Sequence, residues 1–294
     1  MKYKDVLSLI GNTPIIEIQG SFSPKVKLYA KLEGQNPGGS VKDRAAYGMI
    51  KGALDRGDIQ TGSKVVEATS GNTGIALAMI AQQFGIKMTL VMPDSATKER
   101  IATMRAYGAE VLLTPTAKTI EYSRLYAAQL VKEKGYFMLN QFGNDDNWKS
   151  HFQTTGPEIW KDTEGSITHF VSAMGTTGTI MGVSRYLKSK NNDIQIIGAE
   201  PKEGSKIPGI RRWSPEFLPK IFDANHIDGT MEVSRNEAIH SMKELAQKHS
   251  IFTGLSAGGA FTVAKKIAGE LSVGTIVFIC PDRGDRYLST GVFL

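Results

Sequence analysis

Residues 64–84, KVVEATSGNTGIALAMIAQQF, decide the fold class of this sequence. They predict an apolar strand, then a turn of small polar residues at 69–74, then an apolar helix that ends at Gly85 in a left-handed cap. The same order of strand, glycine-containing turn and helix recurs at 25–56 and at 168–189. Repeats of this unit predict parallel sheets that are covered by helices and joined by right-handed crossovers.

Further segments extend this α/β prediction. Strands are predicted at 87–92, 110–114, 194–199 and 275–280, helices at 97–107 and 119–134, and a capping box at Ser234 and Glu237. The polar stretch FGNDDNWKS at 142–150 predicts an irregular crossing between two domains. The predicted strands are almost continuously apolar, as sheets buried on both faces require.

The composition excludes several classes of protein. The chain has 294 residues, enough for one large domain or two moderate ones. No apolar run approaches the ~20 residues of a membrane span. The N-terminal residues lack a signal-peptide cleavage pattern, so we expect a cytoplasmic protein. A single cysteine, Cys280, excludes an intrachain disulfide and a zinc site made of several cysteines. The net charge of +6 is interspersed, which favours small anionic ligands at least as much as nucleic acid.

The turn GTTGT at 175–179 is the best candidate for binding a phosphate. A glycine-containing turn that enters a helix presents free backbone N–H groups and the positive end of the helix dipole. No segment has a P-loop pattern, and Gly175, Gly178 and Gly182 are spaced differently from a dinucleotide-binding motif. Glu200 follows the next strand, where a ribose-binding acid would lie, so a nicotinamide-dependent oxidoreductase stays open as an alternative. A tight turn without any ligand is equally compatible with this loop alone.

Lys42 is the lysine best suited to covalent chemistry. It follows the glycine-rich segment PGGSV at 37–41 and stands at a predicted helix start, where the helix dipole disfavours a cation. The dipole and the neighbouring Arg44 would lower the pKa of its amine, whereas Asp43 would raise it. A neutral amine is the form required for making a Schiff base. The alternative is an ordinary solvated lysine.

Other polar clusters have two interpretations each. The turn at 69–74 can bind a carboxylate through hydroxyl and backbone donors, or it can simply cap a helix, as can Ser256. Arg211 and Arg212 can bind a sulfonate or carboxylate with forked donors, or they can serve only for solubility. The charge run DRGDRY at 282–287 forms either the edge of an active site or a set of ion pairs. The five histidines lack metal-ligand spacing, so no metal is expected.

Taken together, several motifs resemble those of the cysteine synthase family. They are IGNTP at 10–14, SVKDR at 40–44, TSGNTG at 69–74, GTTGT at 175–179 and RYLST at 286–290. The family's enzymes use pyridoxal 5′-phosphate, and their fold is shared with the β chain of tryptophan synthase. The segments 174–179, 208–213 and 282–287 are similar to the B-type branch, which forms S-sulfocysteine. The likeness spans nearly the whole chain.

The resemblance implies an α/β fold of type II, with two domains whose parallel-rich twisted sheets are flanked by helices. The smaller domain would be residues 46–146, and the larger domain would combine residues 1–45 with 147–294. A homodimer is also implied. Some A-type relatives bind the C-terminus of serine acetyltransferase in the active site, and the sequence leaves open whether this chain does so. No partner among nucleic acids or membranes is expected.

The resemblance also implies a role for each matching residue. Lys42 would hold the cofactor in a Schiff base and then act as the base at the substrate Cα, while Asn72 would hydrogen-bond the cofactor's 3′ oxygen. Ser256 would face the pyridine nitrogen. The phosphate would lie against Gly175, Thr176, Thr177, Gly178 and Thr179, the substrate carboxylate against Thr69, Ser70, Thr73 and Gln141, and the sulfonate of thiosulfate against Arg211 and Arg212.

One departure from the B-type pattern concerns the single cysteine. In that pattern a cysteine directly precedes the DRGDR run, whereas here Pro281 separates Cys280 from Asp282. We therefore expect Cys280 to pack at a buried strand end rather than to contribute to a sulfur-donor pocket.

The resemblance predicts β-replacement on O-acetyl-L-serine in cysteine biosynthesis. Thiosulfate would give S-sulfocysteine, and sulfide would give L-cysteine, with acetate as the leaving group. Alternatives with the same cofactor are a sulfide-only A-type enzyme, a cystathionine β-synthase-like enzyme and a serine/threonine dehydratase, although the motif at 69–74 disfavours the dehydratase. Alternatives of a different class are the nicotinamide-dependent oxidoreductase and a non-catalytic protein that binds anions or nucleic acid. An O-phospho acceptor in place of O-acetylserine also stays open.

Overall fold

The computed structural model describes residues 2–294, and within that range its strands form two sheets. The strands are β1 Ile15–Glu17, β2 Val26–Leu32, β3 Lys64–Ala68, β4 Lys87–Pro93, β5 Glu110–Thr114, β6 Phe137–Met138, β7 His169–Ala173, β8 Gln195–Pro201, β9 Gly229–Val233 and β10 Gly274–Cys280. The six-stranded sheet has the order β1-β2-β10-β7-β8-β9, and the four-stranded sheet has the order β5-β4-β3-β6. Apart from the antiparallel β1–β2 pair, neighbouring strands run parallel.

Helices flank both sheets, as the α/β prediction requires. They are α1 Lys42–Asp55, α2 Asn72–Gln83, α3 Lys98–Ala106, α4 Thr119–Lys134, α5 Asp145–Gln153, α6 Thr155–Asp162, α7 Gly178–Lys190, α8 Arg235–His249 and α9 Leu255–Glu270. Short 3₁₀ helices lie at Val6–Leu9, Glu33–Gln35, Thr116–Lys118, Pro215–Phe217, Ala224–His226 and Gly284–Thr290. Across residues 2–294, none of the helices has the length and apolar character needed to cross a bilayer.

The central strand β10 of the larger sheet shows why its sequence, GTIVFIC, is apolar throughout. Alternate side chains of a strand point to opposite faces. Val277 and Ile279 pack in the core that α7 covers, whereas Ile276 and Phe278 pack in the core that α9 covers. The four-stranded sheet follows the same rule: Val65 of β3 packs with α2, and its neighbour Val66 packs with α4. Both sheets are thus buried on two faces, as predicted.

Several predicted boundaries are confirmed to the residue. β3, β5 and α4 begin and end where the sequence places them. Gly85 adopts a left-handed conformation with φ of 65° after α2. The Ser234 hydroxyl accepts the Glu237 backbone N–H at 3.2 Å while the Glu237 carboxylate accepts the Ser234 backbone N–H at 2.8 Å, which is the predicted capping box of α8.

The prediction of an irregular crossing at 142–150 is wrong, because most of that stretch belongs to α5. Asn144 caps the helix by accepting the Asp146 backbone N–H at 2.9 Å, and two aspartates occupy the positively polarised first turn. Asn147 and His151 point inward and are buried. The polar sequence concealed a helix that packs against both α1 and α7, so tertiary contacts stabilise it.

The two sheets draw on different parts of the chain. Residues 64–138 supply the smaller sheet, and residues 15–32 together with 169–280 supply the larger one. The domain boundaries at 46 and 147 stay a prediction, since α1 packs both on α2 of the smaller sheet and on α5. Met1, which belongs to the predicted larger domain, lies outside the described residues.

A buried ion network joins the segment after β2 to α1 and α6. Arg44 donates to both oxygens of Glu33 at 2.7 and 2.8 Å and to Glu158 at 2.7 Å. Lys31 pairs with Glu158 at 2.9 Å and with Asp162 at 3.1 Å. Burial by itself would raise the pKa of Glu33, but the Arg44 guanidinium outweighs it and the pKa falls to about 2. Each of the three guanidinium nitrogens of Arg44 thus donates to a carboxylate of this network.

Candidate active site

The carboxyl ends of strands from both sheets open onto one cavity of about 310 Å³. In parallel α/β sheets ligands bind beyond those ends, where helices begin. The loops after β3, β7 and β10 line the cavity, together with the first turns of α1, α2, α7 and α9. Of the predicted site residues, the following line it: Lys42, Thr69, Ser70, Asn72, Thr73, Gln141, Gly175, Thr176, Thr177, Thr179, Arg211 and Ser256. Gly178 and Arg212 do not.

Lys42 is the first residue of α1 and lies in the wall of this cavity. The segment before it is fixed to the chain after β10, because the Val41 N–H donates to the Pro281 carbonyl at 2.7 Å. Burial lowers the pKa of Lys42, and the carboxyl group of Asp282 opposes that shift. Burial, rather than the helix dipole or Asp43, is the largest cause of this shift. The contribution expected from Arg44 is wrong, since that guanidinium is held in the ion network.

The turn at 175–178 has several features that suit the binding of an anion. It enters α7, and Thr177 before the helix is left-handed with φ of 69°. The buried Thr177 hydroxyl has no hydrogen-bond partner within the described residues. A Cβ on Gly175 would lie 2.9 Å from the Gly209 carbonyl, and one on Gly178 would lie 2.0 Å from the Asn147 side chain. Glycine is therefore required at both positions, and the turn offers an unused hydroxyl and helix N–H groups to an anion.

His151 supports this turn from behind. Its Nε2 lies 3.3 Å from the Thr179 hydroxyl and its Nδ1 lies 2.8 Å from the Thr155 hydroxyl. Burial is the largest cause that lowers the pKa of His151, to about 3, so the ring is neutral near pH 7. Across the described part of the chain, no group of three His, Cys, Asp or Glu side chains is arranged to hold a metal ion.

The charge run at 282–287 forms an edge of the cavity. The Asp282 carboxylate accepts the Asn72 amide at 2.7 Å and the Tyr287 hydroxyl at 2.6 Å. Arg286 donates to the Asn72 side-chain oxygen and to the Gly38 carbonyl. Burial raises the pKa of Asp282, and one of its oxygens is buried without a hydrogen-bond partner in residues 2–294. Both interpretations of this run keep support, since Asp282 and Tyr287 line the cavity while Arg283 pairs with Asp285 at 3.2 Å.

The predicted carboxylate-binding residues come together at the ends of β3 and β6. Thr73 donates its hydroxyl to the Gln141 side-chain oxygen at 2.8 Å. The Thr69 hydroxyl accepts the Gly71 N–H at 3.4 Å, and Ser70 lies between them on the cavity wall. Gln141 follows β6, so a residue distant in sequence completes the turn at 69–74.

Ser256 lies in the first turn of α9 and is 4 % exposed. Gly209, with φ of 87°, packs directly against it: a Cβ there would lie 3.2 Å from the Ser256 Cβ and 3.3 Å from its hydroxyl oxygen. The hydroxyl therefore borders the same space as Lys42. Its role toward a pyridine nitrogen stays a prediction, as do the individual roles of the other cavity residues.

The two adjacent arginines have different surroundings. Arg211 lines the cavity, and its guanidinium lies 5.4 Å from the Trp213 ring centre. The Trp213 indole donates to the Gly175 carbonyl at 2.9 Å, which fixes this loop over the turn at 175–178. Arg212 points away and pairs with Glu232, with Glu200 4.0 Å distant. The structure thus separates Arg212 from the other predicted site residues.

Sequence reasoning missed Arg100, which also lines the cavity. Its guanidinium lies 5.7 Å from the Tyr287 ring centre, and Nη1 donates to the Ser70 carbonyl at 3.5 Å. Its Nε is buried without a hydrogen-bond partner within residues 2–294. Nothing in the helical pattern of α3 distinguishes this arginine from exposed ones.

Cys280 ends β10 and does not line the cavity. It belongs to the core cluster beneath α9, and burial raises the pKa of its thiol. Cys280 therefore packs at a buried strand end, as expected.

Comparisons with known proteins agree with this geometry. Residues 6–282 match the family model described as "Pyridoxal-phosphate dependent enzyme". The chain is 52 % identical to "Cysteine synthase B" of Pseudomonas aeruginosa over 296 aligned residues. This alignment covers 100 % of this chain and 98 % of that protein. It is 50 % identical to "Cysteine synthase B" of Escherichia coli, over 97 % of this chain and 94 % of that one. The crystal structure of a cysteine synthase from Entamoeba histolytica superposes with a TM-score of 0.95 at 35 % identity, over 100 % and 91 % of the two chains.

The matched range contains both sheets, Lys42 and the turn at 175–178. The matches to the two cysteine synthases extend over 97–100 % of this chain, so the aligned ranges include the loops around the cavity as well as the core. The residues present also fit a phosphate-bearing aldehyde, because an amine and an anion cradle share one cavity. This chain therefore belongs to the cysteine synthase family of pyridoxal-phosphate-dependent enzymes.

Proposed function

We propose that this chain is a cysteine synthase of the B type, which replaces the acetate of O-acetyl-L-serine by sulfur at Cβ. One observation carries the proposal: Lys42, with its lowered pKa, shares a cavity with the turn at 175–178. The names of the relatives that are about half identical to it support the choice of reaction. Membership of this family removes the nicotinamide-dependent alternative, and Glu200, on which that alternative rested, lies beside Arg212 rather than in the cavity.

Lys42 has two tasks in this proposal. When bound, pyridoxal 5′-phosphate supplies an aldehyde that condenses with amines and a ring that withdraws electrons from the substrate Cα. The Lys42 amine holds the cofactor and takes the proton from the substrate Cα. Because burial lowers its pKa, more of the amine is neutral near pH 7, and the neutral form is the one that accepts a proton. The opposing Asp282 carboxyl keeps that pKa from falling further.

The turn at 69–74 and Gln141 orient the substrate through its carboxylate. The Gln141 oxygen already accepts the Thr73 hydroxyl, so its Nε2 group is the part left to donate into the cavity. Hydroxyls and backbone N–H groups of Thr69 and Ser70 add further donors. Charge-assisted hydrogen bonds of this kind fix both the position and the direction of a carboxylate. Correct orientation places the Cα proton toward Lys42.

Arg211 is the residue proposed to attract the sulfur donor. Its guanidinium borders the cavity and is oriented by Trp213. A sulfonate group, as in thiosulfate, matches the forked donors of arginine, whereas sulfide gains only long-range attraction. Thiosulfate is therefore the proposed donor, with sulfide as the second. Kinetics with O-acetylserine and thiosulfate, sulfide or homocysteine distinguish the B type, the A type and a cystathionine β-synthase-like enzyme.

The proposal is tested at Lys42. We expect borohydride reduction of the purified holoenzyme, followed by peptide mass analysis, to find the pyridoxyl group on residue 42. Lys42→Ala should lose this adduct and lower the β-replacement rate about a thousandfold or more, because it removes both the anchor and the base. Lys98→Ala, which changes an exposed lysine of α3, is the control and should keep both. A reduced adduct on a different lysine contradicts the proposal.

The proposal also covers the oligomeric state, the cellular location and the partners of the enzyme. We propose that it acts as a homodimer in the cytoplasm, as the family resemblance implies, without nucleic-acid or membrane partners. Gel filtration with light scattering measures the oligomeric state. The same sample, mixed with a C-terminal peptide of a serine acetyltransferase, tests whether that partner binds.

A further inference from the structure

Glu67 is a fully buried carboxylate that borders the site without lining it. It is the fourth residue of β3, two positions before the turn that begins with Thr69, and it is 4 % exposed. A buried carboxylate requires hydrogen-bond donors to offset the loss of water. Its two oxygens accept the backbone N–H groups of Asn140 at 2.9 Å and of Gln141 at 3.3 Å.

These two N–H groups need a partner because the sheet ends just before them. The parallel pairing of β3 with β6 stops at Met138, and Asn140 then turns into the left-handed region with φ of 56°. A non-glycine residue in that region is strained, so its surroundings must hold it there. Glu67 takes over the donors that the strand pairing no longer satisfies.

Two asparagines fix the carbonyl groups of the same segment. Asn144 donates to the Leu139 carbonyl at 2.9 Å, and Asn147 donates to the Gln141 carbonyl at 2.8 Å. With Glu67 on the N–H side, the backbone of Gln141 is held from both directions. Its side chain then meets Thr73 at the cavity wall.

We propose that Glu67 is a positioning residue for the substrate carboxylate: it holds the backbone of Gln141 so that the side-chain amide of Gln141 points into the cavity. This inference rests on the proposed function, in which Gln141 binds that carboxylate. The carboxyl end of β3 thus leads directly into Thr69, which lines the cavity. Glu67, at the same strand end, holds Gln141, which lines the cavity too. Glu67 touches neither substrate nor cofactor and acts through Gln141 alone.

The pKa of Glu67 reflects a balance between burial and hydrogen bonding. Burial is the largest effect and raises the pKa of Glu67 to about 7, while the N–H groups of Asn140 and Gln141 lower it. Arg124 on α4 is the charged group that acts on it, and it also lowers the pKa. A carboxylate without a buried counter-ion is costly to keep. The hydrogen bonds that it accepts from the N–H groups of Asn140 and Gln141 offset part of that cost.

The test is a comparison of Michaelis constants in Glu67→Gln. An amide cannot accept both N–H groups, since one of its two ends is itself a donor. We expect KM for O-acetylserine to rise about tenfold while kcat changes less than about twofold, because Thr69 and Ser70 still orient the bound substrate and the contact to Gln141 is weakened equally in the ground and transition states. Asp228→Asn is the matched control: Asp228 also accepts a backbone N–H, from Ile196 at 2.7 Å, but near the opposite end of β8. It should leave both constants unchanged.

A double-variant cycle identifies the route of the effect. If Glu67 acts through Gln141, then Glu67→Gln combined with Gln141→Ala should be no worse than Gln141→Ala alone. Independent, multiplying losses would overturn the proposal, as would a KM in Glu67→Gln within about twofold of the unaltered enzyme. Glu67→Asp, which keeps the charge on a shorter side chain, provides the cycle if the glutamine variant does not fold.

Amide hydrogen exchange separates this inference from the proposed function. In the holoenzyme, the Asn140 and Gln141 amide protons should exchange at least about tenfold faster in Glu67→Gln or Glu67→Asp than in the unaltered chain. Unchanged exchange refutes the positioning role even if the enzyme makes cysteine. If the variants show faster exchange but the unaltered enzyme does not turn over O-acetylserine, the proposed function is refuted, together with the assignment of O-acetylserine as the substrate.

Discussion

Arg211 and Arg212 are adjacent in the sequence, yet they face different partners. Arg211 borders the cavity beside Trp213, whereas Arg212 is paired with Glu232 outside it. The family resemblance implied the same task for both. Only the course of the loop, fixed by the bond from Trp213 to Gly175, decides which guanidinium reaches the site.

Arg211→Ala should therefore impair thiosulfate use more than sulfide use. We expect kcat/KM with thiosulfate to fall about tenfold or more, since a charge-assisted hydrogen bond is lost, and kcat/KM with sulfide to change less than about threefold. Steady-state kinetics with each donor and saturating O-acetylserine measure this. Arg212→Ala is the control, and both of its values should stay close to those of the unaltered enzyme. Equal losses with both donors in Arg211→Ala would remove that residue from donor selection.

The predictability of single residues depended on whether the signal was local. Lys42 stands out in the sequence because a glycine-rich segment precedes it at a helix start, and the turn at 175–179 stands out in the same way. Arg100 and Glu67 carry no such signal. Glu67 looks like an interruption of an apolar strand, and its partners lie 73 and 74 residues further along the chain. Their tasks follow from contacts between distant segments, which composition and spacing do not encode.

At the level of elements, α5 shows how a polar sequence forms a helix through its cap and its neighbours. Its apolar content is too low for the 3.6-residue pattern to reveal it, but Asn144 caps its first turn. The helix carries Asn147, which donates to the Gln141 carbonyl and lies 3.3 Å from the Thr176 hydroxyl. α5 thereby connects the segment of Gln141 to the turn at 175–178, the two ends proposed to bind the substrate carboxylate and the cofactor phosphate.

Asn144→Ala should destabilise the protein by about 1–2 kcal/mol, because the N-cap of α5 and the bond to Leu139 are both lost. Urea denaturation followed by far-ultraviolet circular dichroism measures the change. Asn236→Ala is the matched control, since Asn236 is exposed on the first turn of α8. It should change the free energy of unfolding by less than about 0.5 kcal/mol. Similar values for the two variants would show that the cap contributes little.

For the whole molecule, the α/β class, the parallel pairing and most element boundaries follow from repeated strand–turn–helix units. The order of strands within the larger sheet does not. β10 lies between β2 and β7, although it comes last of the three in the chain. Alternation of apolar residues shows that a strand is buried, but it does not identify the neighbour, because any apolar strand satisfies the same hydrophobic requirement. The ion network around Arg44 was equally out of reach, since its members come from three separate segments: residues 31–33, α1 and α6.

Arg44→Met should destabilise the whole fold by about 3–5 kcal/mol, because it leaves Glu33 buried without its guanidinium. The native pKa of Glu33, about 2, lies below its usual value of 4.5. Its stabilising contribution is therefore complete above about pH 4.5 and is lost as the pH falls toward 2. Urea midpoints between pH 3 and pH 7 should fall with acid in the unaltered protein and fall less in Arg44→Met.

Arg56→Met is the control for this substitution. Arg56 is about half exposed and pairs with Asp58 and Asp146 at the surface, so its loss should cost no more than about 1 kcal/mol. A loss of similar size in Arg44→Met would contradict the structural importance given to the buried network.

The central place of β10 also governs the order in which the protein can be completed as it leaves the ribosome. The smaller sheet has all its strands once residue 138 has emerged, whereas β2 and β7 wait for residues 274–280 to fill the gap between them. Pairing of such distant segments is slow, and unpaired strand edges are prone to aggregate. The nascent chain thus carries an open edge on β2 once that strand has emerged and a second open edge on β7 from residue 173 onward, and a polypeptide that stops before residue 274 never gains the strand that closes them.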